Sequence, residues 1–322
     1  MGKRLTKVTT SHWGAFEVSV DNGRIVSTKP IDLDPEPSDI AFNVPAAVHH
    51  KSRIDQPYIR KGWLEGNREP RRGEDEYVPV PWSKAIDLAA NEIQRVQKAN
   101  GNGAIFGGSY GWASAGRFHH AQSQVHRFLN CIGGYVSSFA SYSTGAAQAI
   151  IPHVLGMTFH KITWGETNSW PLIERHTDNL VIFGGINPKN AQVSMGGTTE
   201  HVTEGWFKRF SKGDKYMVSV SPQRDDSPPE TRWLPIEPGT DTALMLALAY
   251  VLETEGLCDR AFLDSHCTGY EVFLPYLLGH NGETPKTPDW AASICGISAD
   301  NIISLARRMA SGRTLICVSW SL

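Results

Sequence analysis

Three short apolar stretches run straight into turns of glycine or proline. Residues 104–106 lead into Gly107-Gly108, Asn179–Phe183 into Gly184-Gly185, and Tyr216–Val220 into Ser221-Pro222. Helical patterns lie between and around them. Ser83 is placed to cap a helix with the stripe Ile86, Ala90, Ile93 and Val96, closed by Gly101. Residues 117–131 carry Phe118, Ala121, Val125, Phe128 and Leu129 at helical spacing, continued by Ile132. Residues 241–255 are apolar nearly all round and predict a buried helix. Ser298 caps another that runs to Ala310, and Thr314–Val318 reads as a last strand. Continuous apolar strands joined by helices predict an α/β fold, with mostly parallel sheets and helices on both faces. In such a sheet, ligands bind outside the carboxyl ends of the strands. The three turns are therefore the candidate site.

The first part of the chain reads differently. Phe16-Glu17-Val18-Ser19-Val20 alternates apolar and polar, Asp21-Asn22-Gly23 makes a turn, and Arg24-Ile25-Val26 returns. This is a hairpin signature. Residues 30–82 are rich in Pro, Asp, Arg and Glu and predict loops with short extended pieces. The expected organisation is a small β-rich and loop segment over 1–82, followed by an α/β region over 83–322. A length of 322 residues suits two domains better than one.

Composition removes several function classes. Thirty-one Lys and Arg balance 33 Asp and Glu, for a net charge of −2, so the chain lacks an electrostatic footprint for nucleic acid. Its longest apolar run, residues 243–252, is about half of what a bilayer requires, and no membrane insertion is expected. The start, Met1-Gly2-Lys3-Arg4, has no apolar stretch behind it, which predicts a cytoplasmic protein, or a periplasmic one whose leader was removed. Five widely spaced cysteines, with no C-x-x-C pair, exclude a disulfide framework and a local zinc or iron–sulfur motif. Neither a G-x-G-x-x-G turn after a strand nor a P-loop is present, and there is no H-E-x-x-H or G-x-S-x-G. The adjacent pairs His49-His50 and His119-His120 are poorly spaced to grip one metal from one helix face. Residue chemistry alone leads to an α/β protein with a ligand cleft at its strand ends.

Longer motifs add a family. Ser11-His12-Trp13-Gly14-Ala15, Gly107-Gly108-Ser109-Tyr110-Gly111-Trp112 and Tyr142-Ser143-Thr144-Gly145-Ala146-Ala147-Gln148 follow one another in order. Ile151-Pro152-His153-Val154, Trp170-Pro171, Gly239-Thr240-Asp241-Thr242-Ala243 and Thr287-Pro288-Asp289-Trp290-Ala291-Ala292 continue the series. Together they resemble the molybdenum S-oxide and N-oxide reductases, a family that includes dimethyl sulfoxide, trimethylamine N-oxide and biotin sulfoxide reductases. The absence of an export signal points to the biotin sulfoxide reductase branch.

The resemblance implies a molybdenum held by two molybdopterin guanine dinucleotides, with one protein ligand. That ligand matches Ser143, whose hydroxyl, once deprotonated, is a hard oxygen donor suited to a high-valent metal. Tyr110 and Trp112 match an aromatic pair that donates hydrogen bonds to an oxygen on the metal, with Tyr110 polarising the substrate S=O or N=O. Gly111, Ala113 and Ser114 belong to the same cofactor-contacting turn. Other contacts to the dinucleotides map to Lys189, Asn190 and Ala191, to Val220 and Ser221, to Gly239, Thr240 and Asp241, and to Trp320 and Ser321. Asp241 would accept from a guanine base while backbone N–H groups of the same helix start face phosphate. The chain departs from the family in having Ser221 where aspartate is frequent, and Asn168 for a threonine.

The implied reaction is oxygen-atom transfer from a sulfoxide or amine oxide to Mo(IV), with two electrons and two protons then releasing water. No cysteine precedes Cys131, so an N-terminal iron–sulfur cluster of the kind carried by formate dehydrogenases is not expected, and electrons would come from an external donor. Two other readings stand beside this one. The family's chains are more than twice as long and carry a C-terminal β-barrel absent here, so the chain could be a non-catalytic fragment with partial nucleotide-binding capacity. It could also be an α/β dehydrogenase with an atypical phosphate turn.

Overall fold

The computed structural model describes residues 5–67, 73–108, 120–139, 143–164, 167–194 and 197–319. The chain divides into two compact units, Met1–Ala140 with Val193–His201, and Ser141–Gln192 with Val202–Leu322.

The first unit opens with β1 (Leu5–Ser11), β2 (Gly14–Asp21) and β3 (Arg24–Pro30), an antiparallel sheet in that order. The expected hairpin is β2–β3. Its turn residues Asn22 and Gly23 both have positive φ, 46° and 79°, as a tight primed turn requires. Helix α1 (Val44–Val48), β4 (Tyr58–Arg60), α2 (Lys61–Leu64) and β5 (Tyr77–Pro79) follow, with β4 and β5 paired antiparallel as the short extended pieces of the loop region. Helix α3 (Trp82–Asn100) starts one residue before Ser83, so Pro81 rather than serine holds the N-cap position. Gly101 closes it at φ 72°. Helix α4 begins at Ala121 and ends at Cys131, and residues 117–119 lie outside the described residues.

The expected buried strand at 104–106 is not formed. Its backbone makes one parallel bridge, Phe106 to Val136, and Phe106 is 71% exposed. Three consecutive apolar residues are too few to distinguish a strand from an apolar loop edge.

The returning segment 193–201 is built into the first unit by the Ser11-His12-Trp13-Gly14-Ala15 stretch. Ser194 N–H donates to the His12 carbonyl at 2.9 Å. His201 and Asp34 are both buried, joined by Nδ1–Oδ2 at 2.6 Å and by the His201 N–H to Asp34 Oδ1 at 2.9 Å. Gly14 has φ +119°, and a Cβ there would sit 3.0 Å from the His201 ring.

The second unit contains α5 (Gly145–Leu155), α6 (Phe159–Trp164), α7 (Trp170–His176), β6 (Asn179–Phe183), α8 (Thr203–Lys212), β7 (Tyr216–Val220) and β8 (Arg232–Leu234). Helices α9 (Asp241–Thr254), α10 (Arg260–His266), α11 (Tyr270–Leu278), α12 (Pro288–Cys295) and α13 (Ala299–Ala310) lead to β9 (Thr314–Val318). The four strands form a fully parallel sheet in the order β8-β7-β6-β9, with Phe183 level with Val220 on one side and Val318 on the other. All five residues of β6 are buried, as the apolar run Leu180–Phe183 demands, with the polar Asn179 buried ahead of it. Alternate side chains enter different cores. Val181, Phe183, Val218 and Val220 join Leu244, Leu248, Ile302 and Leu305 of α9 and α13, whereas Leu180, Ile182 and Met217 pack with Ile173 of α7 and with Phe207 and Phe210 of α8. Helices thus cover both faces of this sheet; among the described residues the other two sheets are antiparallel, and the isolated Phe106–Val136 bridge is parallel.

The fold makes Gly14 a sensitive position. A substitution to alanine combines left-handed backbone strain with a clash on the His201–Asp34 pair, and it should destabilise the protein by about 2 kcal/mol. Urea denaturation of Gly14→Ala would read this as a lower midpoint; an unchanged midpoint would contradict it.

Candidate functional site

The chain runs β6 to β7 to β8 across one side of the sheet, then crosses back to place β9 on the other side of β6. The strand order therefore reverses between β6 and β9. At such a switch point the turns leaving neighbouring strands diverge and open a crevice. Hydrogen bonds carry the ladder just past the strands: Gly184 N–H donates to the Val220 carbonyl at 2.8 Å, Ser319 N–H to the Phe183 carbonyl at 2.9 Å, and Ser221 N–H to the Leu234 carbonyl at 3.3 Å. Gly184, Ser221 and Ser319, the residues that follow β6, β7 and β9, consequently stand at one level.

A cleft of about 760 Å³ opens there. Its walls are Gly184 to Asn187 after β6, Ser221 and Pro222 after β7, and Cys317 to Ser319 at β9, together with Asn190, Ala191, Asp226, Pro238, Gly239 and Asp241. That volume suits a drug-sized or nucleotide-sized ligand. Five of the residues singled out in the sequence, Asn190, Ala191, Ser221, Gly239 and Asp241, line this one cleft.

Each wall has a local cause. Gly239 has φ +76°, and a Cβ there would point into open space, so the backbone offers an unobstructed surface. Thr240 holds the N-cap position of α9. Its hydroxyl does not reach into the helix but donates to the Glu237 carbonyl at 2.7 Å and tightens the turn. Asp241 opens the helix. It is 7% exposed, and its carboxylate has no hydrogen-bond or ion-pair partner among the described residues. The positive end of α9 favours a carboxylate there, and its oxygens reach the cleft surface with acceptor capacity open to a ligand.

The turn after β6 is shaped by Asn187. Its Oδ1 accepts from the Lys189 N–H at 2.9 Å, and its Nδ2 donates to Asp226 Oδ1 at 3.1 Å. A short 3₁₀ turn, Asn190–Gln192, follows. Ser221 is fully buried and its hydroxyl accepts from the Gln223 N–H at 3.3 Å, while its carbonyl accepts from the Trp233 indole N–H at 2.8 Å. Val220 is fully buried as well. Cys317 borders the cleft, and burial pushes its thiol up.

The remaining sequence-selected residues lie elsewhere. Lys189 lines an adjoining depression with Arg224, Asp225 and Ser227 rather than the cleft itself. Ser143 is exposed, two residues before α5. Tyr110, Gly111, Trp112, Ala113, Ser114, Trp320 and Ser321 fall outside the described residues. Among the described residues no three His, Cys, Asp or Glu side chains converge as a metal-binding group. Sequence reasoning passed over Asn187, Asp226 and Cys317. The Asn187-Pro188 dipeptide was a turn signal, but nothing in the polar run around Asp226 announced that it folds back against Gly185.

Comparison with known proteins converges on one family. The family model described as molybdopterin oxidoreductase matches residues 53–322, and that of the molybdopterin oxidoreductase N-terminal domain matches residues 9–49. Biotin sulfoxide reductase of Cereibacter sphaeroides is 39% identical over 92% of this chain, and dimethyl sulfoxide/trimethylamine N-oxide reductase of the same organism is 38% identical over 97%. Trimethylamine-N-oxide reductase of Vibrio cholerae is 36% identical over 98%. The chain spans 40%, 38% and 39% of the lengths of these three relatives. Acetylene hydratase from Pelobacter acetylenicus shares the fold, with a TM-score of 0.58 and 21% identity over 97% of this chain and 40% of its own. No helix among the described residues is long and apolar enough to cross a membrane.

Because the thiolate is the reactive form, the raised Cys317 thiol should alkylate slowly. At pH 8, iodoacetamide should label the exposed Cys131 and Cys267 at least about tenfold faster than Cys317, as followed by peptide mass spectrometry. Equal rates would show that the cleft floor is open to solvent.

Proposed function

The chain belongs to the molybdopterin oxidoreductase family, and from that premise we propose that it forms the cofactor-binding part of a molybdenum-dependent enzyme that reduces a sulfoxide or N-oxide. The substrates of this class are biotin or methionine sulfoxide, dimethyl sulfoxide and trimethylamine N-oxide. One observation carries the proposal furthest. Asp241, 7% exposed and without a hydrogen-bond or ion-pair partner among the described residues, presents its carboxylate to a nucleotide-sized cleft at the switch point of a parallel sheet. A guanine base satisfies such a group, because its N1–H and N2–H donors are spaced to meet both carboxylate oxygens. The open surface at Gly239 and the first turn of α9 would then face the diphosphate with backbone N–H groups. The residues present thus fit the guanine dinucleotide end of the cofactor.

Asn190, Ala191 and Ser221 would contact the cofactor from the walls, Val220 only through its backbone, and Lys189 would meet a phosphate or pterin oxygen from the adjoining depression. At the other end, Ser143 would supply the single protein oxygen to the metal. Tyr110 would donate its hydroxyl hydrogen to the substrate oxide, and Trp112 its indole N–H to the same region, with Gly111, Ala113 and Ser114 completing that turn and Trp320 and Ser321 adding contacts beyond β9. The cofactor, when bound, supplies the two-electron chemistry that removes oxygen from the substrate. The chain's own contribution is to hold each group in place and to offer hydrogen bonds where charge grows. No iron–sulfur cluster is needed in this chain, and electrons would arrive from an external donor. Cytoplasmic location is part of the same reading.

The nucleotide-sized cleft by itself also suits a second reading, a partial nucleotide-binding chain without turnover. Metal and nucleotide analysis separates the two. The enzyme reading predicts molybdenum and guanine nucleotide in fixed ratio in purified protein, with oxidation of a reduced dye that depends on added sulfoxide or N-oxide. Ser143→Ala should abolish that oxidation, and unchanged turnover would remove its ligand role. Tyr110→Phe should lower turnover or shift the order of preferred oxides. Guanine nucleotide bound without molybdenum or turnover would establish the second reading.

A further inference from the structure

We propose that Asp226 is a second ligand-binding carboxylate of the cleft, one that receives the vicinal hydroxyls of the nucleotide's ribose. The proposal rests on the nucleotide reading of the cleft given above.

Among the described residues, those lining the cleft include two carboxylates, Asp241 and Asp226, and neither a lysine, an arginine nor a histidine. A wall of that polarity favours neutral donors, such as base N–H and sugar O–H, over bare anions. Asp241 is the less exposed member, and its carboxylate makes no hydrogen bond or ion pair with the described residues. Asp226 is partly exposed, and only one of its oxygens is engaged: Oδ1 accepts from Asn187 Nδ2 at 3.1 Å, while Oδ2 has no hydrogen-bond partner among the described residues.

Three features hold Asp226 in place. The 3₁₀ turn Arg224–Asp226 folds it back towards β6. Gly185, with φ +79°, permits the approach, because a Cβ there would lie 2.2 Å from the Asp226 carbonyl oxygen and 2.9 Å from its Cβ. Asn187 then orients the carboxylate. Its own Oδ1 is committed to the Lys189 N–H, which fixes the amide so that Nδ2 is the atom facing Asp226. The strand-end residue that might have served instead is occupied, since the Ser221 hydroxyl is buried in its own turn. A carboxylate steadied through one oxygen and open at the other, beside a nucleotide cleft, is the arrangement by which doubly wound folds read ribose hydroxyls.

Titration calorimetry on the full chain tests this with three probes: GDP, 2′,3′-dideoxy-GDP and ADP. Wild-type protein should bind GDP about tenfold or more tightly than the dideoxy analogue, the strength of a charge-assisted hydrogen bond. Asp226→Asn keeps an oxygen for Asn187 but loses the charge. It should cut GDP affinity by about tenfold and shrink the GDP-to-dideoxy ratio to about threefold or less, while GDP stays preferred over ADP. Asp241→Asn should do the reverse and erase the preference for GDP over ADP. Equal wild-type affinities for GDP and the dideoxy analogue would overturn the role of Asp226 without the need of any variant, and so would full ribose discrimination in Asp226→Asn. Failure of wild-type protein to bind GDP at all would overturn the nucleotide reading and this proposal together.

Discussion

Strand β6 is hydrogen-bonded in register on both edges, to β7 and to β9, and each of its faces is sealed by a different helical core. Five consecutive residues without solvent contact therefore fix the level and direction of everything that leaves the sheet. Burial of a Val, Ile or Phe side chain contributes about 1.5–3 kcal/mol, so the strand is expensive to displace. The turns beyond it inherit that rigidity. Gly184, Ser221 and Ser319 extend the ladder by one hydrogen bond each, and the cleft begins where those bonds stop.

Electrostatics divides the labour within the cleft. The start of α9 presents the positive end of a helix dipole, which lets Asp241 stay buried with no cation beside it and also suits an anionic group in the turn at Gly239. Asp226 adds a second acceptor to the lining, kept in place by Asn187. Among the described residues, positive side chains are absent from the cleft lining and appear in the adjoining depression, at Lys189 and Arg224.

Much of this was legible in sequence wherever apolar residues dominate a segment. Asn179–Phe183, Tyr216–Val220 and Thr314–Val318 are mostly apolar, and all three form strands of the one parallel sheet, the first two largely buried and the last partly exposed. Asp21-Asn22-Gly23 gave the hairpin because only residues that tolerate positive φ close so tight a turn. Residues 104–106 misled because three apolar residues carry no period, and Ser83 misled because a proline one step before Trp82 starts the helix equally well. Gly239 and Asp241 were found through their motif. Asn187 and Asp226 were not, since a hydrogen bond across 39 residues between two irregular turns leaves no local pattern.

Amide hydrogen exchange with and without GDP tests the cleft assignment most directly. Binding at the strand ends predicts slower exchange confined to residues 184–192, 221–226, 238–242 and 317–319, with the rest of the second unit unchanged. Protection located elsewhere, or none at saturating GDP, would contradict it.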